Sequence, residues 1–239
     1  MYQTTNDSRD LHFFGEIHVL NLLIRTDRKE EMGKQFHSVG LDAENVHWFG
    51  AVKPTEAAGF SSAAYRGNFE SHLAVLDIAV ARGLGRVVIM EDDLDFESYF
   101  QSAIAKVTAG LSSVEWDMFY GGALVNHTVP FSDCLARIAP AEPVQLDHFV
   151  AFNGSTIRLA RDYLRAQLGR PTGDPRGGPM AVDGSYSWLR REHGLKTFIA
   201  APQLGYQRST RSDLSPKWFD RVPGVGALAE AMRRVRGRA

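Results

Sequence analysis

The chain has 239 residues and 44% hydrophobic content, enough to bury a substantial core, and its formal net charge of −1 argues against a general nucleic-acid binder. Its single cysteine, Cys134, excludes an internal disulfide and a multi-thiolate zinc site, and no run approaches the ~18 apolar residues of a membrane span. The opening MYQTTNDSRDLHFF has no basic segment followed by an apolar one, so the expectation is a cytoplasmic protein.

Along the chain, strand and helix signals alternate. The apolar run Ile17 to Leu23 reads as a strand. A helix follows it, with Thr26 and Asp27 as caps and Gly40 as its stop. A short strand is expected over Asn45 to Gly50. Phe69, Leu73, Leu76 and Val80 fall at helical spacing, with Asn68 as the N-cap and Gly83 as the stop. Next come a strand from Arg86 to Met90, a helix over FESYFQSAIAKVTAG, a strand at WDMFYGG, a strand at QLDHFVAFN and a helix from Ser155 to Leu168. The Gly/Pro-rich loop GRPTGDPRGGP and a late strand, LKTFIAAP, complete the pattern. This order predicts an α/β fold with a mostly parallel sheet, in which ligands gather at the carboxyl ends of strands.

The strand RVVIM runs directly into Glu91, Asp92, Asp93 and Asp95. Like charges this close oppose one another's ionisation unless something positive sits among them. No Lys or Arg lies between Glu91 and Lys106, so the compensating charge is expected to come from outside the protein. Two readings stand. The cluster is either a solvated acidic turn, with Asp95 capping the next helix, or a site for a hard divalent cation held by carboxylates and substrate phosphates. A histidine triad of His72, His127 and His148 is not supported, because the spacing matches no ligand motif; His72 reads as a packed histidine bonded to backbone.

Several blocks resemble glycosyltransferase family 25, the lipopolysaccharide and collagen galactosyltransferase group. HVLNLLIRTDRKEEM, with Asn21, Leu22, Arg25, Asp27 and Arg28, is similar to the family's opening block. GNFESHLAVL carries the Gly67, Ser71, His72, Leu73 pattern, and VVIMEDDLDF the Glu-Asp-Asp block. WDMFYGG, HFVAFNGSTIRLARDYL, PMAVDGSYSWL and PQLGYQRSTRSDL follow in family order, so the match runs from about residue 17 to residue 214.

The resemblance implies a GT-A type, Rossmann-like fold in one domain over residues 1–216. A nucleotide-sugar half would cover about 15–120 and an acceptor half about 121–216, with a basic tail over 217–239. It implies an inverting, metal-dependent transfer of a sugar, galactose in the first instance, from a UDP-sugar to a lipopolysaccharide or related glycan or glycolipid. Manganese or magnesium would be held by Asp93, with Glu91 as the second ligand. Asn21, Leu22, Arg25, Asp92, Gln207 and Ser212 are the donor-binding candidates, and Arg25 is favoured over Arg28 because it sits at the end of the first strand. Asp183 is the candidate general base, with Asp117 behind it; a helix N-cap is the alternative role for Asp183.

The tail has six basic residues against Asp220 and Glu230, a local balance of +4. It reads either as an amphipathic helix on an anionic membrane surface, which would place the protein peripherally on the inner face, or as a helix packed on the domain. The competing functional class is a non-catalytic nucleotide-sugar or glycan-binding relative.

Overall fold

The computed structural model describes residues 8–42 and 46–208. Ser212 and the basic tail, both named above, lie outside the described residues. After a short helix α1 (Ser8–Leu11), the elements are β1 (Glu16–Asn21), α2 (Thr26–Ser38), β2 (His47–Gly50), α3 (Ala63–Ala81), β3 (Arg86–Glu91), β4 (Leu94–Phe96) and α4 (Phe100–Ser112). Then follow β5 (Met118–Val125), β6 (Val129–Pro130), β7 (Leu135–Ile138), β8 (Val144–Asn153), α5 (Thr156–Leu168), α6 (Val182–His193), β9 (Thr197–Ala200) and β10 (Gly205–Gln207).

Eight strands form one sheet in the order β2-β1-β3-β8-β5-β9-β7-β6, while β4 and β10 form a separate antiparallel pair. β2, β1 and β3 run parallel, as do β5 and β9. β8 is antiparallel to both β3 and β5, and β7 to both β9 and β6. Six of the eight strands therefore point one way, as the alternating pattern predicts.

The burial alternation along each strand sorts the core into two layers. Val87, Ile89, Val150 and Phe152 face α3, α5 and α6, packing on Phe69, Leu76, Ala160, Leu164 and Leu189. Val88, Met90, Phe149 and Ala151 face the other way, onto Met32 and Phe36 of α2 and Ile104, Val107 and Leu111 of α4. Each fully buried apolar side chain of this size contributes roughly 1.5–3 kcal/mol relative to exposure. Among the described residues, no helix is long and apolar enough to cross a membrane.

Several boundaries differ from the sequence reading. α3 starts five residues earlier than Asn68, because the Ser62 side chain accepts from the Tyr65 N–H and caps it there. α4 starts at Phe100 rather than Phe96, because Leu94 to Phe96 are taken up in pairing with β10. That pairing also removes Asp95 from any capping role.

Candidate functional site

The chain leaves β1 to the β2 side and returns to form β3 on the other, so a crevice opens where the carboxyl ends of β1 and β3 diverge. A cavity of about 360 Å³ lies there. Its walls are Leu20, Leu22 and Ile24 from the end of β1, residues 51–54 after β2, and Ala63, Ala64, Asn68 and Ser71 of α3; its floor is Glu91, Asp92 and Asp93, with Arg28 beside them.

The Gly-x-x-x-Ser-His block of α3 builds one wall. A Cβ on Gly67 would lie 2.4 Å from the Val52 carbonyl oxygen, so only glycine lets the loop approach the helix this closely. One turn on, Ser71 donates to the Gly67 carbonyl (2.6 Å) and accepts from the Val52 N–H (2.8 Å), pinning that loop. His72 then points away from the loop, toward the sheet and the acidic floor.

The acidic residues have unlike partners. Asp92 accepts from Asn21 Nδ2 (2.7 Å) and from Arg28 Nη1 (2.8 Å), and the same Arg28 nitrogen stands 3.6 Å from Asp93. Burial pushes the Asp92 carboxyl up, against the pull of Arg28. Asp93 is buried, accepts from Gln207 Nε2 (3.3 Å) on one oxygen, and has no hydrogen-bond partner on the other among the described residues. Burial, with Glu91 and Asp92 adjacent, pushes its carboxyl up to about 7. Glu91 accepts from Asn68 Nδ2 (2.8 Å). Burial raises its carboxyl, but the His72 ring, Asn68 and His148 together hold it below the usual range. Asp95 is bonded by Arg208, which also reaches Glu31.

Two protein guanidiniums thus enter the cluster from residues 28 and 208, which corrects the expectation that its counter-charge comes only from outside the chain. Asp93 nonetheless keeps an unpartnered oxygen.

Irregular pairing of β5 with β8 brings in Asp147, which the sequence reading missed, and His148, which it weighed only as part of an unsupported histidine triad. Between the pairs Gly122–Phe149 and Leu124–Gln145, β5 advances two residues and β8 four, and Leu146 sits at φ +64°. Asp147 and His148 are buried as a result. Asp147 Oδ2 stands 3.7 Å from His72 Nε2, which is 3.8 Å from Glu91. Burial, reinforced by Glu91 and Asp183, holds the Asp147 carboxyl well above its ordinary value. His148 is pushed down by burial, against the pull of Glu91. A Cβ on Gly122 would lie 2.1 Å from the Gly205 carbonyl oxygen and 2.7 Å from His148 Nε2, so this glycine admits both neighbours.

The predicted site residues divide accordingly. Asn21, Leu22, Glu91, Asp92, Asp93 and Gln207 gather at the cavity or its floor. Arg25 does not line the cavity; it pairs with the exposed Asp27 (2.9 Å), and Arg28 takes the inner position instead. Asp183 is half-buried in the first turn of α6, after the N-cap position filled by Ala181, and accepts from the Gly184 N–H (2.6 Å) and the Leu146 N–H (3.3 Å). Asp117 lies at the opposite end of the sheet, bonded by Thr156 Oγ1 and the Lys196 N–H, which removes it as a base. His72 is packed, but against Tyr186 and the carboxylates rather than backbone. His127 is exposed and apart from it.

The chain is similar in sequence to glycosyltransferase 25 family members. A relative from Danio rerio named procollagen galactosyltransferase 1 is 28% identical over 208 residues, covering 78% of this chain and 33% of its own length. One from Homo sapiens named inactive glycosyltransferase 25 family member 3 is 26% identical over 129 residues, covering 46% of this chain and 22% of its own. The chain thus spans a third or less of the length of these curated relatives. Among solved structures, a nucleoside-diphosphate-sugar pyrophosphorylase from Vibrio cholerae superposes with a TM-score of 0.38 at 14% identity, covering 81% of this chain and 75% of its own, a likeness too low to carry weight. No family model matches.

Proposed function

We propose that this chain, similar to family 25 members over most of its length, is an inverting glycosyltransferase that takes a sugar from a nucleotide-sugar, UDP-galactose in the first instance, and passes it to a glycan or glycolipid. The observation that carries the reading is the cavity at the crossover of β1 and β3, whose floor is three carboxylates and whose walls are largely apolar. The galactose assignment leans on the printed name of the Danio rerio relative, and the lipopolysaccharide-type acceptor on the family resemblance alone.

In this reading Leu22, Ile24 and the 51–54 loop enclose the nucleoside, and Arg28 holds the Asp92 side chain against the floor. Gln207 orients Asp93, and Asn68 orients Glu91, so both carboxylates keep fixed positions under the diphosphate. The unpartnered, buried Asp93 oxygen fits a hard divalent ion, with Glu91 as its companion ligand. Manganese or magnesium bound there would neutralise charge developing on the departing nucleoside diphosphate. Asp183, at the edge formed by α6 and the β8 irregularity, accepts the proton of the attacking hydroxyl.

The test is hydrolysis and binding of a panel of nucleotide-sugars with manganese, magnesium or chelator, in wild type and Asp93→Ala. Metal-dependent turnover of one UDP-sugar, lowered 100-fold or more by Asp93→Ala, is the expected result. A relative named inactive favours one second reading, a donor-binding protein without turnover. Tight donor binding with no hydrolysis or transfer under any metal would establish that reading instead.

A further inference from the structure

Behind the cavity floor lies a second constellation, of which the transfer chemistry above uses only Glu91. His72 of α3 is fully buried, and its Nδ1 is 3.0 Å from the Tyr186 hydroxyl of α6. Its other ring nitrogen, Nε2, has no hydrogen-bond partner among the described residues. That nitrogen faces Glu91 Oε1 at 3.8 Å and Asp147 Oδ2 at 3.7 Å, and Asp147 Oδ2 is likewise buried without a hydrogen-bond partner. The three atoms all lie within 4.8 Å of one another. They come from three elements: the middle of α3, the last residue of β3 and the irregular stretch of β8.

Leaving a buried imidazole lone pair and a buried carboxylate oxygen unpaired is costly, of order 1–3 kcal/mol for each group. A shared ligand removes the cost for both, and Glu91, already held by Asn68, stands within reach of the same ligand. One nitrogen and two carboxylate oxygens supply two negative charges, which a divalent ion balances. Mixed nitrogen and oxygen ligands suit transition ions such as iron or zinc, and manganese tolerates them, whereas magnesium prefers oxygen alone. Metal bonds of roughly 2.0–2.2 Å put neighbouring ligand atoms about 3.0–3.6 Å apart, so the two separations from His72 Nε2, 3.8 and 3.7 Å, need to close by only a few tenths of an ångström, and the two carboxylate oxygens must come together from within 4.8 Å. The outer contacts are those such sites use: Tyr186 fixes the ring through Nδ1, and Asn68 holds Glu91.

We propose that His72 Nε2, Glu91 and Asp147 bind a divalent transition-metal ion in an inner site behind the cavity floor, with Glu91 shared between this site and the floor. The assignment does not depend on the chain being a transferase, and its test uses no sugar donor. His148 is the rival nitrogen: it is buried near Glu91, and the Gly205 backbone lies against its ring.

The experiment is titration of the chelator-treated full chain with manganese, followed by pulsed electron paramagnetic resonance to detect nitrogen bound to the ion. Wild type is expected to bind one ion with a histidine nitrogen coupling. His72→Gln should abolish the coupling, Asp147→Asn should weaken binding at least 100-fold, and Asp93→Ala should keep the coupling. Circular dichroism in chelator checks that each variant folds. If His72→Gln does not fold, the near-isosteric Asp147→Asn carries the test. Binding without nitrogen coupling, coupling that survives His72→Gln, unchanged affinity in Asp147→Asn, or no binding at all would each overturn the site. An occupied inner site with no donor turnover would sink the transferase reading and leave this one standing. Donor turnover without nitrogen coupling would do the reverse.

Discussion

Two strand ends carry carboxylates, and they differ in how completely those carboxylates are satisfied. At the amino end of β5, Asp117 gives one oxygen to Thr156 Oγ1 and the other to the Lys196 N–H, tying the start of β5 to α5 and β9. At the carboxyl end of β3, Asp93 keeps one oxygen without a hydrogen-bond partner among the described residues, and so does Asp147 of β8. Both arrangements are polar groups at sheet edges, but one closes its hydrogen bonds within the fold and the other leaves capacity for a ligand. A saturated acceptor is accounted for within the fold, whereas an unsaturated buried one calls for a partner.

Four substitutions break or sharpen that contrast. Arg28→Gln has the largest expected effect, since it leaves Asp92 and Asp93 buried without their guanidinium. Urea denaturation should show a loss of roughly 3–5 kcal/mol. Asp183→Asn is the intermediate case, because both of its oxygens accept backbone N–H groups although it adjoins the site. If it is the base, turnover falls about 100-fold or more with donor affinity unchanged; unaltered turnover would assign it to the saturated, architectural class. Asp117→Ala should lower stability by about 2 kcal/mol, read by thermal melting, and leave nucleotide-sugar binding as it was. Lys196→Ala should be nearly silent, with an unchanged thermal melt and donor affinity within twofold, because its ion pair with Glu115 is exposed on both sides.

The larger part of the fold is legible in the sequence. Strands that run into helices, and the glycine stops at Gly40 and Gly83, follow from apolar spacing and stop residues, whereas the expected caps at Thr26, Asp27 and Asn68 do not form. The acidic floor is legible because four carboxylates in five residues after a buried strand are unusual. Arg28 is not, because a guanidinium 64 positions from Asp92 enters only once α2 packs beside β3. The strands β4 and β10 are too short for periodicity to register, so the role of Gln207 rested on a matched block alone. Asp147 and His148 were hidden by the alternation rule, since adjacent residues of a regular strand face opposite layers. A left-handed leucine inside QLDHF has no composition signal. His72 was half legible: its place on the apolar face of α3 gives its burial but not its neighbours.

The excursion of β8 at Leu146 separates two duties along one strand. Phe149 to Asn153 are held by both neighbouring strands and by two core layers, so their order is fixed by packing. Leu146, Asp147 and His148 just before them fall in the gap of the β5–β8 register, and Leu146 and Leu124 stand exposed at the rim. In a strand built this way, a change of register before Phe149 would move Asp147 and His148 without disturbing the packed half that follows.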